Sequence, residues 1–296
     1  MDIFQYSFMQ KSILAGIFIS IISSIIGIYI LLRGITFMGA GISHAVFGGL
    51  AFGYLLNINM TLTSIIFTII ILLSMPYITK KSKLKADVPI GIYFSSSMAL
   101  GALLLSFHKG YTTNLFSFLF GSILSIGDQD LFLTITFTIF LLFFSYKNYW
   151  KILFIIFDEE SAKASGINTS RLETYILILT GIAIVLISKL VGIILSSALI
   201  IIPVATLIPF IKDIKKLAIY TILFTFLNIL LGLIISYHFD TPSGSTIVML
   251  GTLVFFISLF FYKKIKLPIS FFFRLLKYFF KQSLFYYLCC SSYRSC

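Results

Sequence analysis

The sequence predicts an all-α polytopic integral membrane protein, and three observations predict it. The 296-residue chain is 59% hydrophobic and only 11% charged, whereas soluble domains carry roughly 25% charged residues. Its apolar residues form long continuous runs rather than the alternating segments of about ten residues that a transmembrane barrel needs, which favours helices. Short basic clusters interrupt the runs, the pattern of cytoplasmic loops. Met1–Gln10 has no basic stretch ahead of the first span, so no cleavable signal peptide is expected.

About nine spans are expected, at residues 12–32, 38–56, 60–79, 88–107, 131–147, 174–189, 191–211, 217–236 and 246–262. The sixth and seventh are nearly continuous, so a count of eight also fits. Charge sets the orientation. Basic clusters fall at Lys80–Lys85, Lys147–Arg171, Lys212–Lys216 and Lys263–Arg294. Nine spans with the N-terminus outside and the C-terminus cytoplasmic leave only Lys11, Lys109 and Lys189 of the 22 basic residues outside. The net charge of +12 is therefore a statement about membrane sidedness, and no nucleic-acid partner is expected.

The second span is the most informative. Gly41, Ala45, Gly49 and Gly53 form one small-residue stripe at four-residue spacing, with Ala40, His44, Gly48 and Phe52 beside it. Such stripes let helix backbones approach closely in lipid. His44 is the one histidine inside a long apolar run. Two readings fit it: a packing helix whose imidazole bonds to a neighbour, or a pathway ligand for Zn, Mn, Fe, Ni or Cu ions. The span enters from the cytoplasm near Thr36, so His44 is about 12 Å deep at 1.5 Å per residue. That is near the middle of a hydrocarbon core about 30 Å thick.

The fourth span starts after Asp87 and Pro89, which suit a helix start. Ser95, Ser96 and Ser97 then reach a depth similar to that of His44, as weaker candidate ligands or as serines bonded to their own helix. Residues 108–130 are expected outside. Leu115–Ile126 is apolar but too short to span, and should lie along the surface or dip in. Asp128 and Asp130 are expected to cap the fifth span in preference to binding metal.

Residues 148–173 form the largest cytoplasmic connection. Asp158 can cap a short helix with Glu159 and Glu160 in its first turn, and Gly166 can end it. With its apolar flank Leu153–Phe157, this is read as a docking element for a cytoplasmic partner, against the alternative of a solvated linker. Pro203 interrupts the seventh span. At the outer end of the eighth, His238 and Asp240 are weak candidates for an external metal contact. Alternatively, Asp240, Pro242, Ser243 and Gly244 build a turn and cap the last span. Residues 263–296 form a basic, aromatic tail expected at the cytoplasmic membrane surface against lipid. Its cysteines, Cys289, Cys290 and Cys296, have no zinc-site spacing. The chain lacks GxxxxGK[ST], HExxH and GxSxG, so neither a P-loop ATPase, a zincin nor a serine hydrolase is expected.

Six blocks in order, LRGITFMGAGISHAVFGG, KADVPIGIYFSSSMALG, NLFSFLFGSIL, FDEESAKASGI, LVGIILSSALIIIPVAT and PSGSTIVML, resemble the membrane permease of bacterial ABC importers for zinc, manganese and related divalent metals. The resemblance covers about residues 12–262, within a transmembrane permease domain expected at residues 1–262. It implies the ABC importer permease fold in the bacterial cytoplasmic membrane and a homodimer of permease subunits. It further implies two cytoplasmic ATPase subunits, an extracytoplasmic metal-binding protein, and no cofactor held by this chain. The segment with Asp158, Glu159, Glu160, Ala162 and Gly166 would be the helix that couples to the ATPase. Many members of that family carry Asp four residues before the histidine; here that position is Ala40. Loss of a hard oxygen ligand argues for zinc ahead of manganese. An iron-chelate or cobalamin permease is the alternative in the same class, but a histidine beside a tight glycine stripe suits a large solute less well. An ion-coupled secondary transporter would need intramembrane carboxylates, and no predicted span contains one.

Overall fold

The structure, a computed structural model, describes residues 6–82, 87–107 and 126–264. The described elements are helices: α1 (Ser7–Leu32), α2 (Thr36–Leu55), α3 (Met60–Ser82), α4 (Asp87–Ser106), α5 (Asp128–Lys147), α6 (Tyr149–Phe157), α7 (Glu159–Ala164), α8 (Thr169–Val191), α9 (Ile193–Leu207), α10 (Ile214–Phe239) and α11 (Ser243–Lys264). Eight of them are long and apolar enough to cross a bilayer. The chain divides into two compact units, Met1–Phe255 and Phe256–Cys296. The expected surface segment Leu115–Ile126 falls outside the described residues except for its last residue, and the tail falls outside beyond Lys264.

The sixth and seventh expected spans are separate helices. Gly192, at φ +105°, breaks the chain between them in a region of backbone space that side chains disfavour. The seventh runs only over Ile193–Leu207, 15 residues, or about 22 Å at 1.5 Å per residue. Asp213 then starts α10 by accepting from the Lys215 and Lys216 amides at 2.8 and 3.1 Å. Several helices begin earlier than their apolar runs: α1 at Ser7, α5 at Asp128 and α8 at Thr169. The first turns of α5 and α8 are polar, and that of α1 mixes Ser7 and Gln10 with Phe8 and Met9.

Within the first unit, α1, α2 and α8 are the most buried spans. Ile19, Ile22, Ile26 and Ile30 of α1 are at most 2% exposed. The short α9 packs against α1, α2, α8 and α10. Its contact with α1 is backbone-close, because a Cβ on Gly27 would stand 2.3 Å from the Ile200 carbonyl. At the opposite extreme, α5 exposes Phe132, Ile139, Phe140 and Phe143, as a lipid-facing helix should.

Charges gather at the two ends of α1. At its start, Lys11 pairs with Asp128 at 2.6 Å. Nearby, Lys189 at the end of α8 pairs with Asp130 and bonds Thr61 at 3.0 Å. Asp128 and Asp130 therefore do not cap α5, as was expected of them. Gly127 occupies the N-cap, and the two carboxylates answer cations on α1 and α8. At the other end of α1, Arg33 pairs with Glu159 at 2.6 Å and with Glu173.

Candidate functional site

Helix α2 is held by glycines on two sides. A Cβ on Gly49 would lie 2.7 Å from Ser64 Cα of α3, and one on Gly41 would lie 2.4 Å from an Ile90 methyl of α4. The small-residue stripe is thus the packing surface of α2. Ser43 is buried, with its hydroxyl 2.9 Å from that of Ser196 on α9 and 2.9 Å from the Gly39 carbonyl.

His44 is half-buried and turned toward α4. Its Nδ1 lies 3.2 Å from the Met98 sulfur, and its ring meets Phe94 edge-on at 4.2 Å between centroids. A thioether accepts and does not donate. The proton therefore belongs on Nδ1, and Nε2 keeps the lone pair that ligates metals. Phe94 and Met98 are one turn apart on α4, and both face His44. The intervening serines lie elsewhere. Ser95 and Ser96 are exposed, and Ser96 bonds its own helix at the Tyr93 carbonyl, 3.4 Å away. Ser97 is buried, and its carbonyl lies 3.2 Å from where a Gly48 Cβ would be. Phe67 fills the other side of Gly48 at 3.0 Å. Gly48 is accordingly a packed position and not the wall of an open passage. Ala40, one turn before His44, is half-buried and carries no donor.

The external pair of candidates does not assemble. His238 Nδ1 bonds the Ile234 carbonyl at 2.9 Å, and Asp240 is the left-handed C-cap of α10, at φ +48°. Asp240 thus ends α10, in the turn that leads to the last span. Ser243, at the head of α11, is buried. Among the described residues no group of three or more His, Cys, Asp or Glu could hold a metal ion. A cavity of about 280 Å³ opens between α2, α3 and α8 beside Lys189, lined by apolar side chains such as Val46 and Leu50 and by polar ones such as Ser64 and Ser188. The His44–Met98 pair does not line it.

At the Arg33 end, the connection from α5 to α8 folds as two helices. The apolar flank is α6, with Ile155 fully buried and Trp150 exposed. Asp158 caps α7, accepting from the Ser161 amide at 2.9 Å and its hydroxyl at 2.5 Å. These bonds hold the Asp158 carboxyl below its usual range. Gly166, at φ +80°, ends the turn, and the Ile167 amide closes it on the Ala162 carbonyl at 3.1 Å. Of the expected docking residues, Glu160 and Gly166 are exposed. Ala162 is fully buried and faces inward, because the six-residue helix needs one apolar anchor on the bundle. Glu159 also turns inward. It accepts from Arg33 at 2.6 Å and from Lys163 at 2.5 Å, which together hold its carboxyl below the ordinary range. Arg33 and Glu173 are the members that sequence reasoning missed. The available signal was one arginine directly after the first span, on the same predicted side as three glutamates.

A family described as the ABC 3 transport family matches residues 5–262. The chain is 35% identical over 260 residues to the manganese transport system membrane protein MntC of Listeria monocytogenes, covering 88% of this chain and 92% of that one. It is 34% identical over 256 residues to the manganese import system permease protein ScaB of Streptococcus gordonii, covering 86% and 92%. Its fold resembles that of PsaBC from Streptococcus pneumoniae in complex with Fab, with a TM-score of 0.79 and 32% identity, covering 87% of this chain and 92% of that one.

Proposed function

The chain belongs to the ABC 3 transport family, and on that premise we propose that it is the pore subunit through which a divalent metal ion enters the cell. It is a membrane permease and not an enzyme; ATP hydrolysis belongs to a separate subunit. Two copies enclose the pathway, two ATPase subunits dock on the cytoplasmic α6–α7 connection, and an extracytoplasmic protein delivers the metal. The N-terminus lies outside and the C-terminus inside.

The carrying observation is His44, half-buried on a closely packed span, with its Nδ1 engaged by Met98 and its Nε2 left as a ligand. One imidazole per subunit binds weakly, and two-fold pairing supplies a second. A conduction site must be occupied yet easily left. The relatives are named for manganese, but the donors here are softer. An imidazole nitrogen, with Ala40 in place of a carboxylate, supports zinc ahead of manganese.

The test is uptake of Zn, Mn and Fe into vesicles holding the assembled transporter, with the parent compared to His44→Ala. Zinc uptake should be lost in the variant, with folded yield and ATPase docking unchanged. Zinc transport at the parental rate would make His44 a packing residue.

A further inference from the structure

We infer that Arg33 is a positioning residue that carries movement of the ATPase-docking connection to the histidine helix. The inference rests on the reading of α6–α7 as the docking element. A single guanidinium joins three helices: Nη1 donates to the Ile155 carbonyl of α6 at 3.3 Å, and Nη2 donates to Glu159 of α7 at 2.6 Å and to Glu173 of α8. The Arg33 side chain is only 22% exposed, so this cluster is screened less than a surface pair. An ammonium could not reproduce this geometry, because the guanidinium spreads fixed donors over a planar fork whereas an ammonium is a compact point charge on a flexible stem.

The backbone at Arg33 is a stiff corner. Arg33 is the C-cap of α1. Gly34 follows at φ +71°, the Ile35 amide closes on the Ile30 carbonyl at 3.1 Å, and the Gly34 amide closes on Leu31 at 3.2 Å. This double closure satisfies the last carbonyls of α1 and fixes the exit angle. Helix α2 begins at Thr36. A displacement of Glu159 therefore pulls on a corner shared by α1 and α2. Close-packed α2 then moves as a rod with His44 on it, together with Ser43, which meets Ser196 of α9. Tight packing makes such a contact switch between arrangements and not bend gradually.

The test uses the whole transporter, permease with its ATPase and binding protein, in vesicles. Ala164 is exposed on α7, so Ala164→Cys should cross-link to the ATPase in the parent and in every variant. Arg33→Lys keeps the charge and the fold but loses the fork, and Arg33→Gln loses both. Each should still hydrolyse ATP when loaded binding protein is added, while metal moved per ATP falls about tenfold, the scale of a network coupling. Arg33→Glu and Glu159→Arg should each be defective. The double variant keeps one cation between two carboxylates and should return to within about threefold of the parent. Parental metal movement per ATP in Arg33→Lys and Arg33→Gln would make Arg33 a strut and overturn the inference. A double variant no better than its parents would overturn the role of the Arg33–Glu159 pair. Absence of the cross-link in the parent would overturn the docking reading, and this inference with it.

Discussion

The His44 Nδ1 and the Met98 sulfur lie 3.2 Å apart across the seam between α2 and α4. The contact fixes the ring as a hydrogen bond to a ligating histidine ordinarily does, by setting the tautomer and aiming Nε2. Here a soft atom does it where a carboxylate or carbonyl is usual. Met98→Leu conserves volume, so its packing cost should stay below about 1.5 kcal/mol. Zinc uptake at limiting metal should nevertheless fall by about tenfold. The rates of parent and variant measured in matched vesicles decide it. An unchanged rate would leave Met98 as filler.

The two charge clusters mark opposite ends of the bundle, and the basic connections predict that the Arg33 end is cytoplasmic. Lys11, Asp128, Asp130 and Lys189 gather at one end of the bundle, and Arg33, Glu159 and Glu173 at the other. Cysteines replacing Lys215 and Pro242, both exposed, should report opposite sides. The Pro242 position should react with an impermeant thiol reagent in intact cells, and the Lys215 position only after lysis. The reverse pattern would invert the orientation and the depth of His44.

Most of the spans were legible because each is a long apolar run, and α2 was legible down to its glycine stripe. The break at Gly192 was harder to place, since Lys189 is the one charge between two apolar stretches and the conformation of the glycine is not written in hydropathy. His44 stood out in the sequence as a candidate, but its neighbour Met98 did not. A methionine in an apolar helix looks like core until the helix opposite is known. Arg33 and Glu173 were hidden for a related reason: they are 140 residues apart in sequence, and only the return of α8 beside α1 joins them. Asp128 and Asp130 misled because an acidic first turn looks the same whether it caps a helix or faces a distant lysine.

Gly49 tests the packing side of α2. Its added Cβ would stand 2.7 Å from Ser64 Cα, a backbone atom that cannot swing away. Gly49→Ala should therefore push α2 from α3 at about 1–3 kcal/mol. A lower midpoint of thermal unfolding in detergent, with a loss of metal uptake, is expected. An unchanged midpoint would mean that the two helices have slack to absorb a methyl group.

Glu159 gives a pH dependence of definite sign. Its carboxyl is depressed below the ordinary 4.5, first by the Arg33 hydrogen bond and then by Lys163. A depressed carboxylate contributes its stability in full above its unfolded-state value and loses it as pH falls through the folded one. The attachment of α7 should thus be complete at neutral pH and weaken below pH 4.5. Melting midpoints followed from about pH 5 to pH 3 should fall more steeply in the parent than in Glu159→Gln, which has no proton to take up. Parallel curves would show that the charge of Glu159 does not hold the connection.

Ala40 offers a gain-of-ligand test. It sits one turn before His44 on α2 and is half-buried, so a side chain there shares the face of the imidazole. Ala40→Asp places a hard oxygen donor beside a borderline nitrogen and leaves the Met98 sulfur where it is. Hard donors favour manganese more than soft ones do, so the variant should gain manganese uptake relative to zinc. A carboxylate also binds dications more tightly, and a tighter site releases more slowly. The zinc rate should therefore fall at saturating metal while the concentration needed for half-maximal uptake falls too. The cost of placing a charge in the span is the competing effect, several kcal/mol if no cation answers it. Folded yield with and without added metal separates the two. Yield restored by manganese or zinc means the carboxylate is ligating. A yield that metal does not change, with no shift in the manganese-to-zinc ratio, would place the pathway away from this face of α2.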